Sequence, residues 1–232
     1  MKIRNLAIAS TLLIGLLAGN SGFAQEERRE VRNFNTKSLG EIHNEGVKYV
    51  LEHIKVVPPR DKVVPLIIRL TNEFCASSRE DCGTLRPDWQ PTSPEKFLST
   101  LHGTEAFKEN FRSLIQITQS NKTAMTGRML QQYQISLDKL ERTANGKLKG
   151  EERTRFLGAL SVARASAIFW APTQAGGLNG RHYLVATNLP NGGTDEIDWG
   201  AVGTADWAGE VFGGPAGGVA ASVAVLAYYL LA

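Results

Sequence analysis

The chain has 232 residues, of which 42% are hydrophobic and 21% charged, with a formal net charge of +3 and two cysteines. These figures exclude a disordered polymer, a collagen-like repeat, a cysteine-dense miniprotein and a polytopic membrane protein. They also argue against a nucleic-acid binder, because the positive excess is small and is not gathered in runs. The length predicts one or two globular domains.

Residues 1–24 have the pattern of a secretory signal peptide. Lys2 and Arg4 precede an apolar run, and Gly22 and Ala24 are the small residues that a signal peptidase requires before its cut. A membrane anchor is the alternative, but the run is shorter than the ~20 residues that span a bilayer. We therefore expect an exported protein in the periplasm, outside the cell or at the cell surface.

Export also bears on the two cysteines, Cys75 and Cys82, because an oxidising compartment favours a disulfide between them. On one continuous helix, seven residues would separate their Cα atoms by about 10 Å, beyond the roughly 7 Å limit for a disulfide. Either the helix ends close to Cys75 and the chain folds back, or there is no bond. We predict the bond, in a structural role, since catalytic pairs usually have two intervening residues.

Residues 25–36 are charged and polar and predict a loose leader, and residues 37–172 predict a helical bundle. In the bundle, apolar residues recur every three or four positions. The predicted helices run from Ser38 to Pro58, from about Asp61 to Cys75, from a cap at Ser93 to Ile115, through Met125 and Leu140 to Asn145, and from about Gly150 to Trp170. No alternating run of β-branched residues appears between 38 and 170. The predicted fold class is all-α: a bundle of about five to seven helices with a Gly/Ala-rich C-terminal helical hairpin.

The composition changes at residue 173. Residues 173–232 hold 12 of the 23 glycines and have a net charge of −4, whereas residues 25–172 have a net charge of +5. Opposite charges suggest that the two parts pack on each other, or that one of them meets an external surface. Residues 173–193 predict a loop, in which 182–186 could form a short strand.

Residues 194–232 predict the hairpin that packs on the bundle. Its first helix is capped by Thr194 or Asp195 and reaches about Phe212, and its second is an uncharged helix from Ala216 to Ala232. Small residues at a spacing of four form two stripes on this segment: Gly213, Gly217 and Ala221 in one, and Gly214, Gly218 and Ser222 in the other. Such stripes allow close approach of a partner helix, and Gly200, Gly203, Ala208 and Gly209 offer a complementary smooth face.

Three alternatives remain for this hairpin: burial against the bundle, insertion into or anchoring to a membrane, and an exposed patch for a protein partner or self-association. The helix from Ala216 would be ~25 Å long, which is short for a ~30 Å hydrocarbon core. No Lys or Arg flanks it, and Pro215 interrupts the apolar run near its start. These facts favour burial.

The sequence shows no catalytic, cofactor-binding or metal-binding motif. His43 and His53 lie ten residues apart on one predicted helix, which is no standard ligand spacing, and we expect both to be partly exposed. The oxygen-rich segment 188–196 lacks the acid pattern of an EF-hand and predicts a helix-capping turn. Ser-x-x-Lys pairs start at Ser93 and Ser136, without the companion elements of penicillin-binding enzymes.

Three segments carry a resemblance to known proteins: Gly40–Gly46, with the sequence GEIHNEG, the Ala-rich helix ending in Phe169-Trp170, and Asp206-x-Ala208-Gly209 before the Gly/Ala-rich end. Together they resemble a group of uncharacterised exported bacterial helical proteins. The terminal hairpin is also similar to the glycine-zipper segments of some bacteriocin-like peptides. Neither resemblance carries over a catalytic or binding residue.

The sequence therefore predicts an exported, non-enzymatic helical protein with an interaction or structural role, no cofactor and no nucleic-acid partner. The first alternative is a membrane-active or membrane-associated protein that uses the hairpin. The second is a hydrolase whose site cannot be read from the sequence.

Overall fold

The structure is a computed structural model that describes residues 37–54, 59–78, 82–88, 94–121, 125–186 and 197–231. The predicted signal peptide and leader, the helix caps proposed at Ser93 and at Thr194 or Asp195, and the segment 188–196 lie outside these residues. The predictions made for them stay predictions.

Every regular element among the described residues is helical, which confirms the all-α class. The helices are α1 (Leu39–His53), α2 (Arg60–Ser77), α3 (Pro94–Thr100), α4 (Glu105–Gln119), α5 (Gly127–Lys147), α6 (Gly150–Trp170), α7 (His182–Ala186) and α8 (Trp199–Leu231), with a 3₁₀ turn at Thr173–Ala175. The suggested strand at 182–186 was wrong, because this segment forms the short helix α7.

The stretch predicted as one helix from Ser93 to Ile115 is divided into α3 and α4. Gly103 between them has a φ of 152°, a conformation that favours glycine. Thr104 then caps α4, with its hydroxyl accepting from the Phe107 N–H at 3.2 Å. The Thr104 N–H donates to a Glu152 carboxylate oxygen on α6 at 2.6 Å, so that the break is also tied to the neighbouring helix.

Helix α8 connects the two main apolar clusters of the molecule. Trp207 and Val211 belong to one cluster, which also holds the phenylalanines of α3 and α4 and Phe156 of α6. Val219 and Val223 belong to the other, with residues of α1 and α2. The helix packs against α1, α2, α4 and α6, so most of the bundle is arranged around it.

The chain reverses direction within α8. Gly214 has non-helical torsion angles, φ 62° and ψ −164°, and divides the element into a first half (199–213) and a second half (215–231). A β-carbon built on Gly209 would lie 2.8 Å from the Ala221 β-carbon. Twelve residues on one continuous helix would be about 18 Å apart, so the two halves must fold against each other as a hairpin.

The two halves of α8 cross where glycines remove the side chains. A β-carbon on Gly209 would overlap the carbonyl oxygen of Gly217, and one on Gly217 would overlap the carbonyl oxygen of Gly209. One on Gly218 would lie 2.9 Å from the Asp206 carbonyl oxygen. Of the residues predicted for helix packing, Gly217, Gly218 and Ala221 thus lie between the two halves.

The other residues predicted for helix packing take different positions. Gly213 and Gly214 lie at the turn of the hairpin, and Ser222 is fully buried. Gly200 and Gly203, expected to face the second half, instead face the end of α4, around Thr118 and Gln119.

The two cysteines lie at disulfide distance, as the prediction of a bond requires. Their sulfur atoms lie 1.98 Å apart and their Cα atoms 5.5 Å apart. Helix α2 ends at Ser77, two residues after Cys75, which lets the chain fold back. Cys82 is buried, and its carbonyl oxygen accepts a hydrogen bond of 3.0 Å from the Ala216 N–H at the start of the second half of α8.

We expect Gly217→Ala to lower the free energy of unfolding by about 1–3 kcal/mol, because the methyl group would force the halves of α8 apart. Urea unfolding followed by circular dichroism measures the change. Gly146→Ala is the matched control: a β-carbon there meets nothing within 4 Å, and it should be neutral or stabilising by up to about 1 kcal/mol. An equal effect of the two substitutions would contradict the tight crossing.

Candidate functional site

A cluster of polar side chains, which we call the buried cluster, lies where α1, α6 and both halves of α8 meet. It consists of His43 from α1, Ser166 and Trp170 from α6, and Asp206 and Ser222 from the first and second halves of α8. His43, Asp206 and Ser222 are 0% exposed, and Ser166 is 2% exposed. Polar groups this deeply buried are costly unless they are hydrogen-bonded.

Asp206 is the centre of the buried cluster. Its Oδ2 accepts a short hydrogen bond from the Ser166 hydroxyl and a longer one, 3.4 Å, from the Trp170 indole N–H. Its Oδ1 faces Nε2 of His43 at 3.8 Å. The Ser222 hydroxyl lowers the pKa of this carboxyl group and so favours its charged form.

The orientation of His43 is set by the next residue in the chain. The Asn44 side chain donates from Nδ2 to the Ala165 carbonyl at 2.9 Å, so its Oδ1 is the atom that faces Nδ1 of His43, at 3.1 Å. Nδ1 is therefore the donor in this contact, and Nε2 is the atom presented to Asp206.

The pKa of Asp206 is raised above its ordinary value. Burial is the main cause, because it penalises the charged carboxylate. His43, Ser166, Ser222 and Trp170 act in the opposite direction without cancelling it.

Glu210 lies one turn after Asp206 and is also buried, at 2% exposure. A β-carbon built on Gly218 would lie 3.4 Å from a Glu210 carboxylate oxygen and 3.2 Å from Cδ2 of His43. The glycine thus makes room for the carboxylate on one side and the imidazole ring on the other. The two acids of the hairpin both face the interior of the bundle.

A second polar network lies beside the buried cluster. The Thr118 hydroxyl accepts from the Trp207 indole N–H at 3.3 Å, lies 3.3 Å from the Tyr133 hydroxyl, and donates to the Leu114 carbonyl at 2.9 Å. Burial raises the pKa of Tyr133 to about 12; the Thr118 hydrogen bond lowers it and the charge of Asp206 adds to the rise.

A small cleft lies beside this network, near the start of α8. Tyr133, Ser166, Trp170 and Trp199 are among its lining residues, and its volume is about 30 Å³. This is room for about two water molecules, far below the 300–1,000 Å³ of typical small-molecule sites. The Arg181 guanidinium, which also lines the cleft, stacks over the Trp199 ring at 4.2 Å.

The order of the groups does not match a serine-hydrolase triad. In a triad the histidine lies between the serine and the carboxylate, whereas here Asp206 lies between Ser166 and His43. Ser166 is also buried and commits its proton to the carboxylate. Among the described residues, no group of three or more His, Cys, Asp or Glu side chains could hold a metal ion.

The sequence prediction for the histidines was half correct. His53 is exposed, as expected, but His43 is fully buried, so its predicted partial exposure was wrong. Gly40 and Gly46 lie on either side of His43 along α1 and allow close packing against α6 and the second half of α8. These two glycines were the signal in the sequence that other helices pack closely on the face of α1 that carries His43.

The two hairpin acids were also missed as site residues. Asp206 and Glu210 are the only charged residues in the apolar α8, and that isolation was the available signal. Ser136, weighed as part of a Ser-x-x-Lys pair, only donates to the Gln132 carbonyl within α5 at 2.9 Å, at an exposed position.

The three segments that carry the resemblance stated above meet at the buried cluster. They supply His43, which is oriented by Asn44, as well as Trp170 and Asp206. Comparison of the chain with protein-family models, curated proteins and solved structures found no match.

We expect Asp206→Asn to become more stable relative to the wild type as the pH rises. Because its pKa is raised in the folded state, Asp206 contributes to stability while it is protonated. This contribution is complete when the pH is below the ordinary aspartate pKa near 3.9. It is lost as the pH rises toward the pKa of Asp206 in the folded protein. Asparagine stays neutral throughout. The stability difference should therefore grow from pH 4 upward, by at most about 1.4 kcal/mol per pH unit.

Urea unfolding of both proteins at pH 4, 5, 6, 7 and 8 measures this difference. Asp61→Asn is the control for loss of a carboxylate from a surface, since the Asp61 side chain is 73% exposed. A difference for Asp206→Asn that stays constant, or shrinks as the pH rises, would contradict the raised pKa.

Proposed function

We propose that this chain is an exported helical protein with a structural or interaction role, in which the Gly/Ala-rich hairpin is a core element. The burial of the hairpin carries this proposal. Among the described residues, one helical segment, Trp199–Ala227, is long and apolar enough to cross a membrane by length and composition alone; it is folded back at Gly214, and 72% of its most apolar stretch is buried inside the fold. Side chains from both halves of α8 supply parts of the two apolar clusters.

The buried cluster supports the same proposal. In a bilayer, Asp206 and Glu210 would lie within hydrocarbon, where ionisable side chains are costly. In the bundle, Asp206 has hydrogen-bond donors from α6 and the His43 ring from α1. The hairpin is therefore better matched to the protein interior than to lipid.

Export is supported by two independent features of the chain. The first 24 residues have the pattern of a signal peptide. The Cys75–Cys82 pair at disulfide distance is typical of proteins in oxidising compartments. The resemblance to exported bacterial helical proteins agrees with both.

An interaction role has one piece of local support. Leu178 is 63% exposed, and its N–H donates to the carbonyl of Ile168, which is 36% exposed. Two large apolar and solvent-accessible residues thus lie on adjacent segments of the backbone. This place is our candidate for a protein contact.

Membrane association through the hairpin is the second candidate. The observation that favours it is that α8 has no basic residue and that both its acids face inward. The outer surface of the hairpin therefore carries no charge. This function requires the hairpin to leave the bundle.

Fractionation of bacterial cells that express the full chain tests the proposal. We expect a soluble periplasmic protein whose N-terminus lies near Gln25. Recovery in a membrane pellet that resists salt and carbonate washing would contradict the soluble protein and support the membrane candidate.

The matched variant lacks residues 211–232, which comprise the last residues of the first half of α8, the turn and the second half. If the hairpin is core, this variant should lose cooperative unfolding in urea and be degraded in the cell, because it lacks Ser222 of the buried cluster and much of the second apolar cluster. A variant that stays folded and soluble would show that the segment is an appended module.

A further inference from the structure

Cys82, the second cysteine of the disulfide, and the following Gly83 lie against the turn of the hairpin. The Ala216 N–H donates to the Cys82 carbonyl at 3.0 Å. β-Carbons built on Gly214 and on Gly83 would lie 3.9 Å from the Cys82 and Gly213 carbonyl oxygens, respectively. Residues 82–83 and 213–216 therefore lie side by side, joined by this hydrogen bond.

The hydrogen bond to Cys82 is made by a group that the second half of α8 cannot satisfy itself. The first N–H groups of a helix have no partner within it. Gly214 breaks the helix, and Pro215 has no N–H, so that Ala216 supplies the first N–H of the second half. A carbonyl from another part of the chain takes the place of a capping side chain.

The position of that carbonyl depends on the disulfide. Residues 82–86 are in neither a helix nor a strand. Asn72 of α2 holds Leu85 through two hydrogen bonds, 3.0 and 2.8 Å, but Leu85 is three residues beyond Cys82. Cys82 itself is tied to α2 by the covalent bond to Cys75, and it packs in a small apolar cluster with Phe74 of α2 and Ile42 of α1.

We propose that the Cys75–Cys82 disulfide is a redox-sensitive latch that holds the second half of α8 in the bundle. Its reduction frees the Cys82 carbonyl, uncaps Ala216 and increases the local opening of the second half of α8, which stays docked for most of the time, so that the other helices stay folded. This regulation goes beyond the proposed structural or interaction role.

The reductant is a dithiol, and the exchange balances. A thiolate of the dithiol attacks Sγ of Cys75, which is half-buried, whereas Cys82 is 1% exposed. The S–S bond breaks, Cys82 leaves as a thiolate and takes up a proton, and a mixed disulfide forms on Cys75. The second thiol of the reagent closes on the first, releasing Cys75 as a thiol and the reagent as a cyclic disulfide. Two electrons and two protons pass to the protein.

Hydrogen exchange measured by mass spectrometry on the full chain, with and without dithiothreitol, tests the latch. We expect backbone amides of residues 216–227 to exchange at least about tenfold faster in the reduced protein, a change of about 1.4 kcal/mol in opening free energy. Amides of α5 and α6 should change less than about twofold. The double variant Cys75→Ser/Cys82→Ser should show the reduced pattern and no response to dithiothreitol.

Two results would overturn the proposal. Unchanged protection of 216–227 after complete reduction, verified by mass, would show that the disulfide does not hold the hairpin. An equal loss of protection in all helices would show that it is a general cross-link of the fold. Both results can be read from the reduced wild-type protein, even if the double variant fails to fold.

Discussion

The burial of one carboxylate, Asp206, is the constraint on which the centre of this molecule depends. A carboxylate in an apolar interior must be hydrogen-bonded or protonated. Its donors come from α6, and the ring it faces comes from α1. Segments more than 150 residues apart in the chain must therefore dock together before this one side chain is satisfied. Withdrawal of the hairpin would break all of these contacts together.

The glycines of the hairpin allow its two halves to pack closely enough to bury Asp206. They also leave the hairpin dependent on polar contacts for its position. They let the two halves of α8 cross with backbone against backbone at Gly209 and Gly217. Small residues bury little apolar area each, so the crossing gains less from hydrophobic burial than a leucine-rich hairpin would. Polar anchoring at Asp206 and the external cap from Cys82 supply specificity for the same segment. If either is released, the least charged part of the molecule becomes available to other surfaces.

Local signals predicted much of the fold. The bounds of α6 and the reversal after α2 follow from glycine, proline and cysteine spacing, which act over a few residues. The buried cluster depended on contacts that periodicity cannot give. The apolar stripe of α1 identified its inward face, but His43 is buried because glycines bring α6 and α8 closely over it. The strand propensity of residues 182–186 was likewise overridden by tertiary context, since the segment forms a helix.

The protonation of Asp206 can be measured directly, by carbon NMR of its side-chain carboxyl group as a function of pH, with Asp206→Asn used to assign the signal. Because the carboxyl is buried between α1, α6 and both halves of α8, it should titrate well above the ordinary aspartate value near 3.9. Titration at or below that value would mean that Asp206 is solvated or fully ion-paired. It would contradict an arrangement built around a desolvated carboxylate.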